Sequence, residues 1–205
     1  INKFVIERQN EQNQSVDGRE RIYLPDDFSH TITGRGAVWL SKYNLTAGEL
    51  LRAGWGWSER NQQIIIPFYD TNETLCCIQA RNFSSKWKSK AKYWNVGDKT
   101  KSVTTYGKSD ERRLVLCEDA VSSLKVARYN PSKPLLGTSL AKGKIMALKG
   151  SYDELVIWLD RDKWREARAL SEQAQLLGFK SKAILTDLDP KEYNDEQIIS
   201  FIEGE

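Results

Sequence analysis

From Arg113 onward, short apolar runs alternate with amphipathic stretches, and this alternation limits the fold more than any other feature of the chain. Residues 114–117, 135–136, 155–159 and 183–185 read as strands, and residues 120–129, 165–177 and 195–202 as helices. Strands separated by helices return to one sheet in the same direction, so a mostly parallel sheet flanked by helices is predicted. With 205 residues and 40% hydrophobic content, the chain can also build a second small core upstream.

The upstream part has a different pattern. Residues 1–20 are polar, rich in Asn, Gln and Glu, and lack strand or helix periodicity, which predicts an extended lead-in or linker. Residues 37–53 predict two short helices split near Asn44, the second capped by Thr46, and the Gly54-Trp55-Gly56-Trp57 run ends them. Residues 63–69 and 74–80 are β-branched and apolar around an Asp-Thr-Asn-Glu turn, and predict a β-hairpin. The resulting division is a lead-in over 1–20, a basic subdomain over 21–108 and a parallel-sheet domain over 109–205. The fold class is α/β, an α+β subdomain followed by the sheet-and-helix domain.

Charge is distributed unevenly. Between Arg81 and Arg113 stand ten bases and three acids, interleaved with Phe83, Trp87, Tyr93, Trp94 and Tyr106, while the tail from Asp187 is acidic, so the net charge is only +3. Lysine and arginine neutralise phosphates, and aromatic faces stack on unpaired bases without demanding a sequence. A solvated lysine loop over core aromatics would give the same composition.

In a parallel sheet, residues just beyond the carboxyl ends of the strands converge in one crevice. Glu118 follows the first strand of this part, Asp160 and Asp162 follow the third, and Asp187 and Asp189 follow the fourth. Clustered carboxylates are costly unless a cation neutralises them, and hard oxygen ligands suit Mg²⁺ or Mn²⁺. An isolated Asp-x-Asp is also common at strand ends and helix N-caps.

In order, Leu-Val-Leu-Cys-Glu, Leu-Leu-Gly-Thr-Ser-Leu, Trp-Leu-Asp-Arg-Asp and Asp-Leu-Asp-Pro-Lys-Glu-Tyr resemble the TOPRIM half of DnaG-type bacterial and phage DNA primases, over residues 112–203. The resemblance implies a TOPRIM domain in which Glu118, Asp160 and Asp162 are catalytic and bind metal, with Asp189 as a further metal ligand. Upstream, Pro67, Arg81, Lys92-Tyr93-Trp94-Asn95 and Tyr106-Gly107 resemble the N-terminal part of the primase core. That resemblance implies that Arg81, Lys92 and Tyr93 face the groove that holds template and nucleotides; with Arg60, Lys90, Asn95 and Lys101 they are the candidate nucleotide- and nucleic-acid-binding residues.

The family reading implies primer synthesis by two-metal nucleotidyl transfer, with Mg²⁺ or Mn²⁺, ribonucleoside triphosphates, a single-stranded DNA template and a replicative helicase, fused or separate, in a cytoplasmic setting. A TOPRIM nuclease and a non-catalytic core that binds single-stranded nucleic acid or a helicase are the alternatives. Departures from the family pattern are Asp119 and Ser122 after the glutamate, and Arg161, Lys163 and Trp164 around the aspartates. Gln63 stands where an arginine is expected, with Arg60 nearby as a replacement.

Composition narrows the field further. Three cysteines, two of them adjacent, and one histidine supply no zinc-ligand spacing and no disulfide framework, so no zinc is expected in this stretch. No complete Gly-x-x-x-x-Gly-Lys-Ser/Thr phosphate loop of a helicase motor occurs, since Ser102 stands where Gly107-Lys108-Ser109 would need its leading glycine. No apolar run approaches the ~20 residues of a membrane span. The start at Ile-Asn-Lys reads as a piece of a longer protein rather than a secretory precursor.

Overall fold

The computed structural model describes residues 21–84, 92–108 and 110–204. The chain divides into two compact units between Thr104 and Thr105. The lead-in expected over 1–20 lies outside the described residues, as do Trp87 and Lys90.

The first unit runs β1 (Phe28–Ser29), α1 (Gly34–Ser41), α2 (Ala47–Arg52), β2 (Gly56–Ser58), β3 (Gln63–Tyr69), β4 (Leu75–Asn82) and β5 (Tyr93–Gly97), then a 3-10 turn over Lys99–Lys101. Its strands form one antiparallel sheet in chain order. The two helices split where expected, and Thr46 closes a reciprocal cap. Its hydroxyl accepts from the Glu49 backbone N–H at 3.2 Å, while the Glu49 carboxylate accepts from the Thr46 N–H at 2.7 Å. The expected hairpin is β3 and β4. Pro67 is tolerated in β3 because it lies beyond the last residue paired with β2, where its missing N–H interrupts no ladder on that side. Three strands were not expected: the short β1, β2, which the Gly-Trp-Gly-Trp run enters with Trp55 and Trp57 buried, and β5, supplied by the basic aromatic segment.

The second unit runs β6 (Arg113–Cys117), α3 (Ala120–Val126), β7 (Ser132–Pro134), α4 (Lys142–Ala147), β8 (Glu154–Trp158), α5 (Trp164–Leu176), β9 (Lys180–Ala183), a 3-10 turn over Pro190–Glu192, and α6 (Asp195–Glu203). The sheet is parallel throughout, in the order β7-β6-β8-β9. Alternate residues of the two central strands feed two cores. Leu114, Leu116, Leu155 and Ile157 pack with Ile145 of α4 and with Ala167, Leu170 and Ala174 of α5. Val115, Cys117, Val156 and Trp158 pack with Val126 of α3 and with Ile198 and Ile202 of α6. Helices therefore cover both faces, as expected for a parallel sheet.

The two edge strands depart from the sequence reading. The second strand is Ser-Lys-Pro at 132–134 rather than residues 135–136, and the fourth is Lys180–Ala183 rather than 183–185. Both are polar, because an edge strand needs pairing on one side more than apolar content. β7 is covered at its outer edge by Tyr106, whose N–H donates to the Ser132 carbonyl at 2.7 Å while the Ser132 N–H donates back at 2.9 Å. Gly107 then turns the chain with φ +90°, at a point where any side chain would meet the Ala127 carbonyl 2.8 Å away. No helix among the described residues is long and apolar enough to cross a membrane.

Candidate functional site

The parallel sheet sets the acids at one end. Cys117 pairs with Trp158 across β6 and β8, so Glu118, one residue beyond β6, and Asp160, two beyond β8, leave the sheet side by side. Each keeps one buried oxygen, Glu118 Oε2 and Asp160 Oδ1, that has no hydrogen-bond partner among the described residues. Burial raises the pKa of Glu118, with Asp119 and Asp162 adding to it against Lys163. Burial pushes Asp160 up to about 7, reinforced by Asp119, Asp189 and Glu118 and opposed by Lys191.

The remaining acids are already engaged. Asp119 caps α3, with Oδ1 accepting from the Val121 and Ser122 N–H groups at 2.8 and 2.9 Å. Its Oδ2 accepts from the Ser122 hydroxyl at 2.9 Å, so the serine that replaces an expected acid locks the cap instead. Asp189 Oδ1 accepts from the Arg161 N–H at 3.2 Å. Asp162 is at the rim, its side chain 66% exposed and paired with the Lys163 ammonium at 2.5 Å, a contact that lowers its pKa.

Sequence reasoning missed the centre of this arrangement. The Lys191 ammonium lies 2.8 Å from Asp119 Oδ2, 3.0 Å from Asp189 Oδ2 and 3.5 Å from Asp160 Oδ2. Burial opposes its charge, yet the carboxylates outweigh that cost and raise its pKa. The available signal was a lone lysine inside the Asp-x-Asp-Pro loop, hidden within an acidic tail.

Among the described residues, no group of three or more His, Cys, Asp or Glu side chains is gathered as the ligands of one ion. The unpartnered oxygens of Glu118 and Asp160 fit a more modest site, since Mg²⁺ is commonly held by one or two carboxylates with waters and substrate phosphates completing its shell. Beside them opens a cavity of about 140 Å³ lined by Asp160, Arg161, Lys163, Trp164, Thr186 and Asp187. Trp164 is half-exposed there, with the Arg165 and Arg168 guanidinium groups 4.9 and 5.6 Å from its ring.

In the first unit, Arg81 of β4 pairs with Tyr93 of β5. Its guanidinium lies 4.3 Å from the Trp39 ring, 4.7 Å from Tyr93 and 5.6 Å from Phe83. An arginine held between aromatic faces is pre-oriented for planar contacts. Trp39, on α1, was not anticipated as part of this group. Asn95 accepts from the Gln79 side-chain amide at 3.2 Å, Lys101 lies 3.9 Å from Asp98 with its side chain half-exposed, and Lys92 is exposed. Arg60 is exposed as well, on a turn where its N–H donates to Asp27 at 2.7 Å, and Lys90 falls outside the described residues.

No protein-family model matches the sequence, and no curated protein matches it. Solved structures do match its fold. The zinc-binding and RNA polymerase domains of the Aquifex aeolicus primase align with a TM-score of 0.68 at 15% identity, over 83% of this chain and 56% of that one. The DnaG primase catalytic domain bound to single-stranded DNA aligns at 0.65 and 16% identity, over 82% and 70%. The primase fragment of the bacteriophage T7 primase-helicase aligns at 0.62 and 12%, over 95% and 82%. The chain thus has the fold of DnaG-type primase catalytic cores, and it spans little more than half of the Aquifex fragment.

Proposed function

We propose that this chain is the RNA-polymerising core of a DNA primase, joining ribonucleotides on a single-stranded DNA template. The observation that carries the reading is the pair of buried, unpartnered carboxylate oxygens on Glu118 and Asp160, at adjacent strand ends of a fold shared with primase cores. Mg²⁺ or Mn²⁺ held there, when bound, would neutralise phosphate charge during nucleotidyl transfer. Asp162, exposed beside Glu118, is the candidate to join them by leaving Lys163.

The attacking hydroxyl comes from the growing primer, so no protein nucleophile is needed. Arg161, Lys163 and Trp164 border the cavity beside Asp160 and suit a phosphate and a base. In the first unit, Arg81 between Trp39 and Tyr93, with Lys92 and Lys101, would hold template or nucleotide phosphates. A replicative helicase as partner and a cytoplasmic setting follow from the same reading.

The test is incubation with single-stranded DNA, Mg²⁺ or Mn²⁺ and labelled ribonucleoside triphosphates. Short ribonucleotide products are expected, and they should vanish in Asp160→Ala. Shortened DNA in place of new RNA would favour a nuclease.

A further inference from the structure

We infer that Lys191 is a resident cation of the carboxylate cluster, standing where a second divalent ion would otherwise be needed, so that the site takes one metal ion. This rests on the metal reading of Glu118 and Asp160 given above. The oxygens decide it. Both oxygens of Asp119 and both of Asp189 are committed to backbone N–H groups, the Ser122 hydroxyl or Lys191. Asp160 divides its two, Oδ2 toward Lys191 and Oδ1 without a partner. What remains for an incoming ion is Glu118, one oxygen of Asp160 and, at the rim, Asp162 once it leaves Lys163, a set that suits one Mg²⁺ completed by water and phosphate and is too small for two.

Lys191 is also built into its place rather than draped across it. Its side chain is 14% exposed, and an ammonium has three donors for the three carboxylates around it. Its backbone carbonyl accepts from the Lys125 ammonium at 2.9 Å. Lys125 is itself only 3% exposed on α3, the helix whose first turn Asp119 caps. Pro190 and the Glu192 carboxylate, which accepts from the Asp189 N–H at 3.0 Å, stiffen the turn that carries Lys191. Helix α3 therefore anchors Lys191 from behind through Lys125 and presents Asp119 to it in front.

The experiment counts Mn²⁺ bound per chain by electron paramagnetic resonance, in the wild type, Lys191→Met and Lys191→Arg. One ion in the wild type, two in Lys191→Met and one in Lys191→Arg is the expected result. Two ions in the wild type, or no gain in Lys191→Met, would overturn the inference. No ion in the wild type but one in Lys191→Met would leave Lys191 as the cluster's cation and sink the metal reading of the wild-type site instead. Should Lys191→Met not fold, the ¹⁵N signal of the Lys191 ammonium in wild-type protein, assigned by its loss in Lys191→Arg, gives the answer. A hydrogen-bonded signal that persists at saturating Mg²⁺ supports the inference, and collapse to the value of a free lysine contradicts it.

Discussion

Cys117 and Trp158 stand opposite each other as paired residues of adjacent parallel strands, and that single register step places Glu118 beside Asp160. The site is as firm as this pair. Trp158 is fully buried, donates its indole N–H to the Thr186 hydroxyl at 2.9 Å, and packs edge-on against Phe201 with Tyr193 at 6.0 Å.

Replacing Trp158 by Ala should cost about 3–5 kcal/mol of stability, from lost burial and the cavity left behind. Urea unfolding measures it. A loss under about 1 kcal/mol would mean that the sheet does not depend on this core.

Asp160 predicts a pH dependence of the metal-free protein. Its folded pKa of about 7 lies above the 3.8 of an ordinary aspartate, so between these values the native state binds more protons than the unfolded chain. Stability should therefore fall as pH rises through that window, the penalty being absent below it and complete above about 7. Unfolding in EDTA from pH 4 to 8 should show this slope in the wild type and a shallower one in Asp160→Asn. Equal slopes would remove Asp160 as its source.

Arg81→Ala should weaken single-stranded DNA binding roughly tenfold, about 1.4 kcal/mol, and reduce the salt slope by about one. Arg81→Lys should keep the slope but not the full affinity, because an ammonium does not stack as a planar guanidinium does. Fluorescence anisotropy across a salt series separates the two. Unchanged binding in both variants would leave Arg81 a packing residue between Trp39 and Tyr93.

Burial pushes the Cys77 and Cys117 thiols up to about 12, and Cys76 is buried as well. The thiolate is the reactive form, so native protein at pH 8 should show almost no reaction with a disulfide reagent, and all three thiols should titrate after unfolding. Fast reaction in the native state would show that the sheets open readily.

How much of this could be read from sequence depended on where the signal lay. The central strands β6 and β8 announced themselves, since strands buried on both faces are continuous apolar runs. The edge strands β7 and β9 did not, because Ser-Lys-Pro and Lys-Ser-Lys-Ala pair through their backbones and carry no apolar pattern. Glu118 and Asp160 were legible because strand ends converge by topology. That Asp119 and Asp189 turn to a lysine was not, since a loop lysine three residues before an N-capping asparagine looks like any solvated charge. Likewise motif order singled out Arg81 as a candidate, while Trp39, which reaches it from α1, required the tertiary fold.

Metal-dependent nucleotidyl transfer by Glu118 and Asp160 is the proposed chemistry. Its most direct test is the rate of ribonucleotide incorporation on single-stranded DNA at saturating Mn²⁺, measured for wild type, Glu118→Gln and Asp160→Asn alongside DNA affinity. Each variant is expected to lose on the order of 100-fold in rate or more, about 2.7 kcal/mol of transition-state stabilisation, with DNA affinity unchanged within about threefold. Incorporation at the wild-type rate in either variant, or none in the wild type itself with its template bound, would contradict the account.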